Sequence, residues 1–274
     1  MMNERADCSG CALREVPLCR SVREAGDDRL SPAVSLRRHG PNEMLYEVGA
    51  HPGVIGVLRK GCLRRERLMP DGRRTVLGLV FPGDIVGELP DRRAGYSLET
   101  ATEAEICHFP ISVARRVPAE STEFRRVMAA DAERQLDHEL TFAWLRVGLR
   151  CRERVIAFLV WAAGLPSSRP QPEGGVLADL PVGRRDWADL CNTTVESISR
   201  QMTDLSSRGL VAHLDGRRYL LRDLPALRRL AGLDRLPCLH CAPSRMTAVN
   251  ADLAAAVPSV AVRAPVLGGV AWSQ

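Results

Sequence analysis

The chain of 274 residues is 45% hydrophobic, 26% charged and 4% aromatic, with a formal charge of +5 and nine cysteines. That length suits about two domains, and the composition excludes collagen-like, mucin-like and disordered chains. No apolar run reaches the roughly 18 residues of a membrane helix. The opening Met1-Met2-Asn3-Glu4-Arg5-Ala6-Asp7-Cys8 has no apolar stretch behind its charges, so no secretory signal and no membrane partner are expected. The expected location is the cytoplasm, where cysteines bind metal or stay free more often than they pair.

Residues 1–29 form a polar segment holding Cys8, Cys11 and Cys19 at the spacing C-x2-C-x7-C. Thiolates this close can wrap one metal centre, and a fourth would complete either an iron–sulfur cluster or a tetrahedral zinc site. Cys62, Cys107, Cys151, Cys191, Cys238 and Cys241 are the available donors. Cys151 and Cys191 fall on apolar helical faces and read as core. Cys238-Leu239-His240-Cys241 reads as free thiols in a tail.

Residues 30–118 contain short β-type runs punctuated by glycine and proline, such as Val54-Ile55-Gly56-Val57-Leu58, Cys62 to Leu68 and Thr75 to Phe81. The Asp71-Gly72 step between the last two favours a tight hairpin. Runs at this spacing predict a small antiparallel barrel or jelly roll. Residues 119–150 carry no glycine or proline from Ser121 to Val147, and predict one long helix. Its recurring apolar residues Phe124, Met128, Ala132, Leu136, Leu140, Ala143 and Val147 suggest a dimer seam, the alternative being a stripe packed on its own domain.

Residues 151–231 carry 12 arginines against nine acidic residues, a weakly basic balance that permits nucleic-acid binding. A helix from Arg152 to Trp161 is followed by a Pro-, Ser- and Gly-rich loop over 164–175. From Leu180 to Leu221 the pattern reads as helix, turn, helix, helix and a hairpin around Asp215-Gly216. Trp187, Leu190 and Cys191 give the first helix an apolar face, Asn192 tolerates the left-handed conformation at the break, and Thr194 suits the next N-cap. On the following helix Val195, Ile198 and Met202 share the inward face, while Glu196, Ser199 and Arg200 face outward. That spacing suits a recognition helix, in which Arg200 can pair with guanine, Glu196 with a cytosine amino group and Ser199 with a base or phosphate. The alternative is an ordinary solvated face with Glu196 and Arg200 as an i,i+4 ion pair, and the hairpin that follows favours the first. Arg217 and Arg218 on the hairpin suit phosphate contacts. Residues 232–274 show no clean period and read as a loosely ordered tail.

The motifs Glu196-x-x-Ser199-Arg200 and Pro82-Gly83-Asp84-x-x-Gly87-Glu88, together with the order barrel, long helix, winged helix, resemble the Crp–Fnr superfamily of bacterial transcription regulators over roughly residues 8–231. The resemblance implies an α+β chain: an N-terminal jelly roll like a cyclic-nucleotide-binding domain, a dimerising helix and a C-terminal winged helix-turn-helix. It implies a homodimer on double-stranded DNA, with RNA polymerase as a further partner. In the Fnr branch, three N-terminal cysteines and one near the end of the barrel hold an oxygen-labile [4Fe–4S] cluster, which here implies Cys8, Cys11, Cys19 and Cys107. The same branch implies oxygen as the signal, anaerobic regulation and a TTGAT-like half-site. The alternatives are a nitric-oxide-responsive relative and a zinc-stabilised regulator without redox sensing.

Cyclic-nucleotide relatives follow the Gly-Glu pair with Arg-Ser or Arg-Thr, which grips the cyclic phosphate. Here Tyr96-Ser97 stands in that place, so a buried phosphate would lack its counter-charge, and no cyclic nucleotide is expected. Haem-based relatives usually lack the cysteine triplet. An enzyme reading finds no H-E-x-x-H, P-loop or G-x-S-x-G pattern and no histidine dyad.

Overall fold

The computed structural model describes residues 4–5, 8, 10–24, 34–52, 55–87, 92–109 and 122–233. The expected tail from residue 234 onward, including Cys238 and Cys241, lies outside the described residues, as does Glu88, while Leu233 at the tail's start is buried in the core. Nine strands form two antiparallel sheets. β1 (Glu4–Arg5), β2 (Ser35–His39), β9 (Ala104–Phe109), β4 (Ile55–Lys60) and β7 (Ile85–Gly87) lie side by side in that order, and β3 (Met44–Tyr46), β8 (Ser97–Thr100), β5 (Leu63–Leu68) and β6 (Arg74–Val80) form the second sheet. The β5–β6 hairpin turns where the sequence predicts it. Gly72 sits at φ 83, its N–H donates to Met69 O at 2.9 Å, and Met69 N–H donates to Arg73 O at 2.8 Å.

Between the sheets, Leu58, Ala104 and Ile106 of the first meet Leu63, Val80 and Leu98 of the second. Because strand side chains alternate, residues one position away point out of the barrel, and here many of these are apolar too. The outer face of the first sheet (Leu36, Ile55, Val57, Phe109) is covered by Leu13, Val16 and Leu18 of the N-terminal segment and by the start of the long helix. The segment ends in α1 (Pro17–Glu24). The outer face of the second sheet, with Cys62, Val76 and Leu79, shares one continuous core with the C-terminal module.

The long helix α2 (Thr122–Gly148) runs from the first of these clusters to the last. Its buried stripe is Phe124, Val127, Phe142 and Leu145. Leu136 and Leu140 are each 57% exposed and Val147 is 88% exposed, with Ala132 and Ala143 beside them. This corrects the expected seam at its N-terminal end: Phe124 is 1% exposed against the barrel and Met128 is half-buried beside it. The error is one of phase. Three steps of four residues overshoot the helical period by about 120°, so Phe124 and Leu136 lie on different faces.

The C-terminal module comprises α3 (Cys151–Ala162), β10 (Arg169–Pro170), β11 (Val176–Asp179), α4 (Arg184–Leu190), α5 (Val195–Ser207), β12 (Val211–Asp215), β13 (Arg218–Leu221) and α6 (Leu224–Leu230). Two helices, not three, separate Leu180 from the hairpin; the third follows it as α6. β10 falls inside the expected loop, and β11, whose short run carries no strong alternation, completes a sheet of order β10-β11-β13-β12. No helix among the described residues is long and apolar enough to cross a membrane.

Phe124 anchors the long helix on the barrel, so Phe124→Ala should lower the unfolding free energy by roughly 3–5 kcal/mol. Urea denaturation measures this, and a loss below about 1 kcal/mol would show that the contact does not hold the helix.

Candidate DNA interface and thiol cluster

Asn192 adopts φ 47 between α4 and α5, the left-handed conformation that Asn accepts at little cost. Thr194 caps α5, its Oγ1 accepting from Ser197 N–H at 3.2 Å. Ile198, Met202 and Leu205 seat the helix in the core. Val195, expected inward, is instead 37% exposed, because it occupies the first turn, where the helix has not yet reached the core. Glu196 and Arg200 are exposed and Ser199 is half-buried on the outward face. Arg200 Nη2 donates to Ser197 Oγ at 3.4 Å. The Glu196 carboxyl is held below its ordinary range by its own backbone N–H, then by the Thr194 hydroxyl, with the Arg200 charge adding to both.

Sequence reasoning missed Arg184. Its guanidinium reaches Ser199 Oγ at 3.4 Å and Tyr219 Oη at 3.3 Å, which puts a further cation against the outward face of α5. The Arg184-Arg185 pair just before Trp187 was the available signal. On the hairpin the two arginines differ. Arg218 closes on Asp215, with Nε 2.7 Å from Oδ1, while Arg217 is exposed and donates to Pro181 O at 3.3 Å.

The cysteines separate into two groups. Cys107 lies on the outer face of the first sheet between Leu36 and Val57. Cys11, Cys19 and Cys107 all pack, half-buried, against the apolar cluster there, and Cys8 is exposed beside them. Burial pushes the Cys107 thiol up to about 11, with the neighbouring Cys11 and Cys8 adding to the shift. The other group is structural. Cys62 is buried under the C-terminal module, Cys191 Sγ donates to Arg154 O at 3.6 Å, and Cys151 Sγ lies 3.0 Å from Thr193 Oγ1. Burial pushes Cys191 up to about 12 and Cys62 higher still. Among the described residues no three His, Cys, Asp or Glu side chains already converge on a metal-sized site.

The side of the barrel that meets α2 is filled by the chain itself. Arg65, 5% exposed, donates from Nη1 to Glu139 Oε1 at 2.7 Å, bonds Gln135 as well, and stands 5.4 Å from the centre of the Tyr96 ring. Gly78, opposite Arg65, makes room: a Cβ there would collide with the Glu139 carboxylate. Ser97 Oγ accepts from Val48 N–H at 3.0 Å and so serves the barrel's own backbone.

A two-sheet barrel, a long helix with an exposed apolar stripe and a winged helix-turn-helix with an outward polar face together define a DNA-binding transcription regulator, not an enzyme. The chain belongs to the Crp–Fnr family. Residues 153–230 match the Crp-like helix-turn-helix domain and residues 36–120 the cyclic nucleotide-binding domain. It is 30% identical to a probable transcriptional activator of Rhizobium leguminosarum bv. viciae, over 81% of this chain and 92% of the relative. It is 27% identical to the transcriptional activator protein FnrL of Cereibacter sphaeroides, over 83% and 92%. Among solved structures, a CRP-family transcriptional regulator from Thermus thermophilus superposes with a TM-score of 0.60 at 31% identity, covering 72% of this chain and 96% of that one.

Proposed function

We propose that this regulator senses oxygen through a [4Fe–4S] cluster held by Cys8, Cys11, Cys19 and Cys107, and activates transcription as a dimer on inverted-repeat, TTGAT-like sites. The observation that carries the reading is the gathering of Cys11, Cys19 and Cys107, alone among the described cysteines, on one apolar patch where the N-terminal segment meets the barrel and the start of α2, with the exposed Cys8 near Cys107. Four thiolates suit an iron–sulfur cluster, which would supply oxygen-labile redox chemistry there. The activator role follows the names of the relatives, and contact with RNA polymerase goes with that role. The residues that transmit the signal are this chain's own. Leu13, Val16 and Leu18, with Cys11 and Cys19 partly buried beside them, hold the N-terminal segment in one cluster with Leu36, Phe109, Phe124 and Val127, so loosening that segment uncovers the base of α2. A small local change there biases how two copies of α2 pair, as switch elements do. The Arg65–Glu139 filling of the barrel supports a signal other than a cyclic nucleotide.

Protein purified without oxygen should be coloured and should bleach in air, and Cys19→Ala should abolish iron binding and anaerobic DNA binding while Cys151→Ala leaves iron content nearly unchanged. Full iron content in Cys19→Ala, or a colourless zinc-bearing wild type, would overturn the assignment.

Leu136, Leu140, Ala143 and Val147 form the proposed seam. Leu140→Glu sets two like charges near the two-fold axis in apolar surroundings. Its mass in anaerobic light scattering should fall to that of a monomer, and a variant that stays dimeric would put the seam elsewhere.

The dimer should set each α5 in the major groove, with half-site centres about 34 Å, or ~10 base pairs, apart. Arg200 is assigned to the guanine, Glu196 to the opposite cytosine and Ser199 to the neighbouring thymine, with Thr194 beside the backbone. Arg200→Ala should cost roughly 1–3 kcal/mol per half-site and relax preference at the guanine. Arg217→Ala, and more weakly Arg218→Ala because Asp215 already holds it, should weaken binding to all sequences and flatten the salt dependence. Titrations of cognate and scrambled sites at two salt concentrations separate these effects. Equal loss on both DNAs for Arg200→Ala would make it a backbone contact.

A further inference from the structure

Adjacent residues on β5 grip two different parts of the molecule. Arg65 points to the long helix, bonding Gln135 and Glu139. Arg64 points the opposite way, as alternation requires, into the junction with the DNA-reading module. There its Nη1 donates to Asp186 Oδ2 of α4 at 3.1 Å, its Nε to Glu66 Oε2 at 3.2 Å, and its Nη2 to Asn42 Oδ1 at 3.0 Å and to Glu99. Arg74, on the neighbouring strand, donates to Asp186 Oδ1 at 2.5 Å and from Nε to Asp189 Oδ2 at 3.0 Å. Asp186 is 7% exposed and Arg64 4%, so these are not solvent-screened surface pairs, and removing one partner leaves a buried charge behind.

We propose that β5 is the coupling strand of this regulator: Arg65 holds the dimer helix on one face, while Arg64 and Arg74 clamp Asp186 and Asp189 on the other and set the angle at which the reading helix is presented. The charge count makes the clamp releasable. When docked, two guanidinium groups face four carboxylates, Glu66, Glu99, Asp186 and Asp189. When α4 leaves, Glu66 and Glu99 remain to neutralise Arg64 and Arg74. The barrel side is therefore balanced without its partner, so undocking leaves no orphaned cation there. Burial and the nearby Glu99 also push the Glu66 carboxyl above its ordinary range, a sign of the acid crowding in the docked state. An α2 that tilts moves Glu139, Glu139 moves Arg65, and Arg64 is the next residue along the same strand.

The inference rests on dimeric DNA binding and not on the iron–sulfur cluster. A residue that sets the angle of the two modules fixes the separation of half-sites they can span together, which a merely stabilising residue does not. The test therefore measures binding by full-length anaerobic protein to inverted repeats whose half-sites are at the preferred spacing or one base pair closer or farther. Arg74 and Asp189 are chosen because their side chains are 15% and 25% exposed, so reversal there is tolerated better than at Arg64 or Asp186. Arg74→Glu should lose about tenfold of the preference for the correct spacing with an unchanged circular-dichroism spectrum. The double variant Arg74→Glu with Asp189→Arg should restore it. Gly78→Ala, whose methyl displaces the Glu139 carboxylate from Arg65, should cause the same loss from the other face of the strand. An Arg74→Glu protein that keeps full spacing discrimination overturns the proposal, as does a loss that the double variant fails to repair. A wild type that ignores inverted repeats altogether would instead refute the dimeric DNA-binding reading.

Discussion

The outer face of the first sheet is apolar, and that of the second sets Val76 and Leu79 beside the charged Arg64, Glu66 and Glu99, so neither outer face is left in water. Buried apolar area stabilises by about 25 cal/mol per Å², so each face demands a cover from outside the barrel. The N-terminal segment covers one with Leu13, Val16 and Leu18, and the C-terminal module covers the other with α3 and α4. The organisation of the molecule follows from that requirement. The barrel has a cysteine-bearing lid on one side and a DNA-reading module on the other, and one long helix touches both junctions.

This arrangement explains why the two groups of cysteines behave differently. Cys107 occupies a covered face whose lid is a short polar segment with few apolar anchors, so its burial depends on that segment staying down. Cys62 and Cys191 sit under a cover built from whole helices, including Phe158, Trp187 and Leu190. A thiol under a weak lid is open to chemistry, whereas one under a helical core acts as a small hydrophobe.

The two junctions also differ in how they are held. The lid is held by apolar contact. The DNA-reading module is held by the same kind of contact beneath a rim of Arg64, Arg74, Asp186 and Asp189. Apolar contact is non-directional and tolerates small shifts, whereas forked guanidinium–carboxylate pairs fix an angle. A junction that presents a reading helix needs the second property.

Much of this was legible in order along the chain. The absence of glycine and proline between Ser121 and Val147 determined the long helix, Asp71-Gly72 and Asp215-Gly216 determined two hairpins, and Asn192-Thr193-Thr194 determined the break and cap before α5, because each is a local steric or hydrogen-bonding preference. The family order of parts, and the outward placement of Glu196 and Arg200, followed from the same local signals. What only the tertiary structure decided is what depends on distant strands meeting. Phe124 faces the barrel and not a partner because the helix phase is set by Leu18 and Ile55, far from it in sequence. Arg64 and Arg65 look identical in the sequence, and alternation on β5 sends one to α4 and the other to α2. Asp186 reads as an ordinary surface acid of a first helical turn until β6 brings Arg74 against it, since a buried ion pair is a property of two segments and neither carries its mark alone.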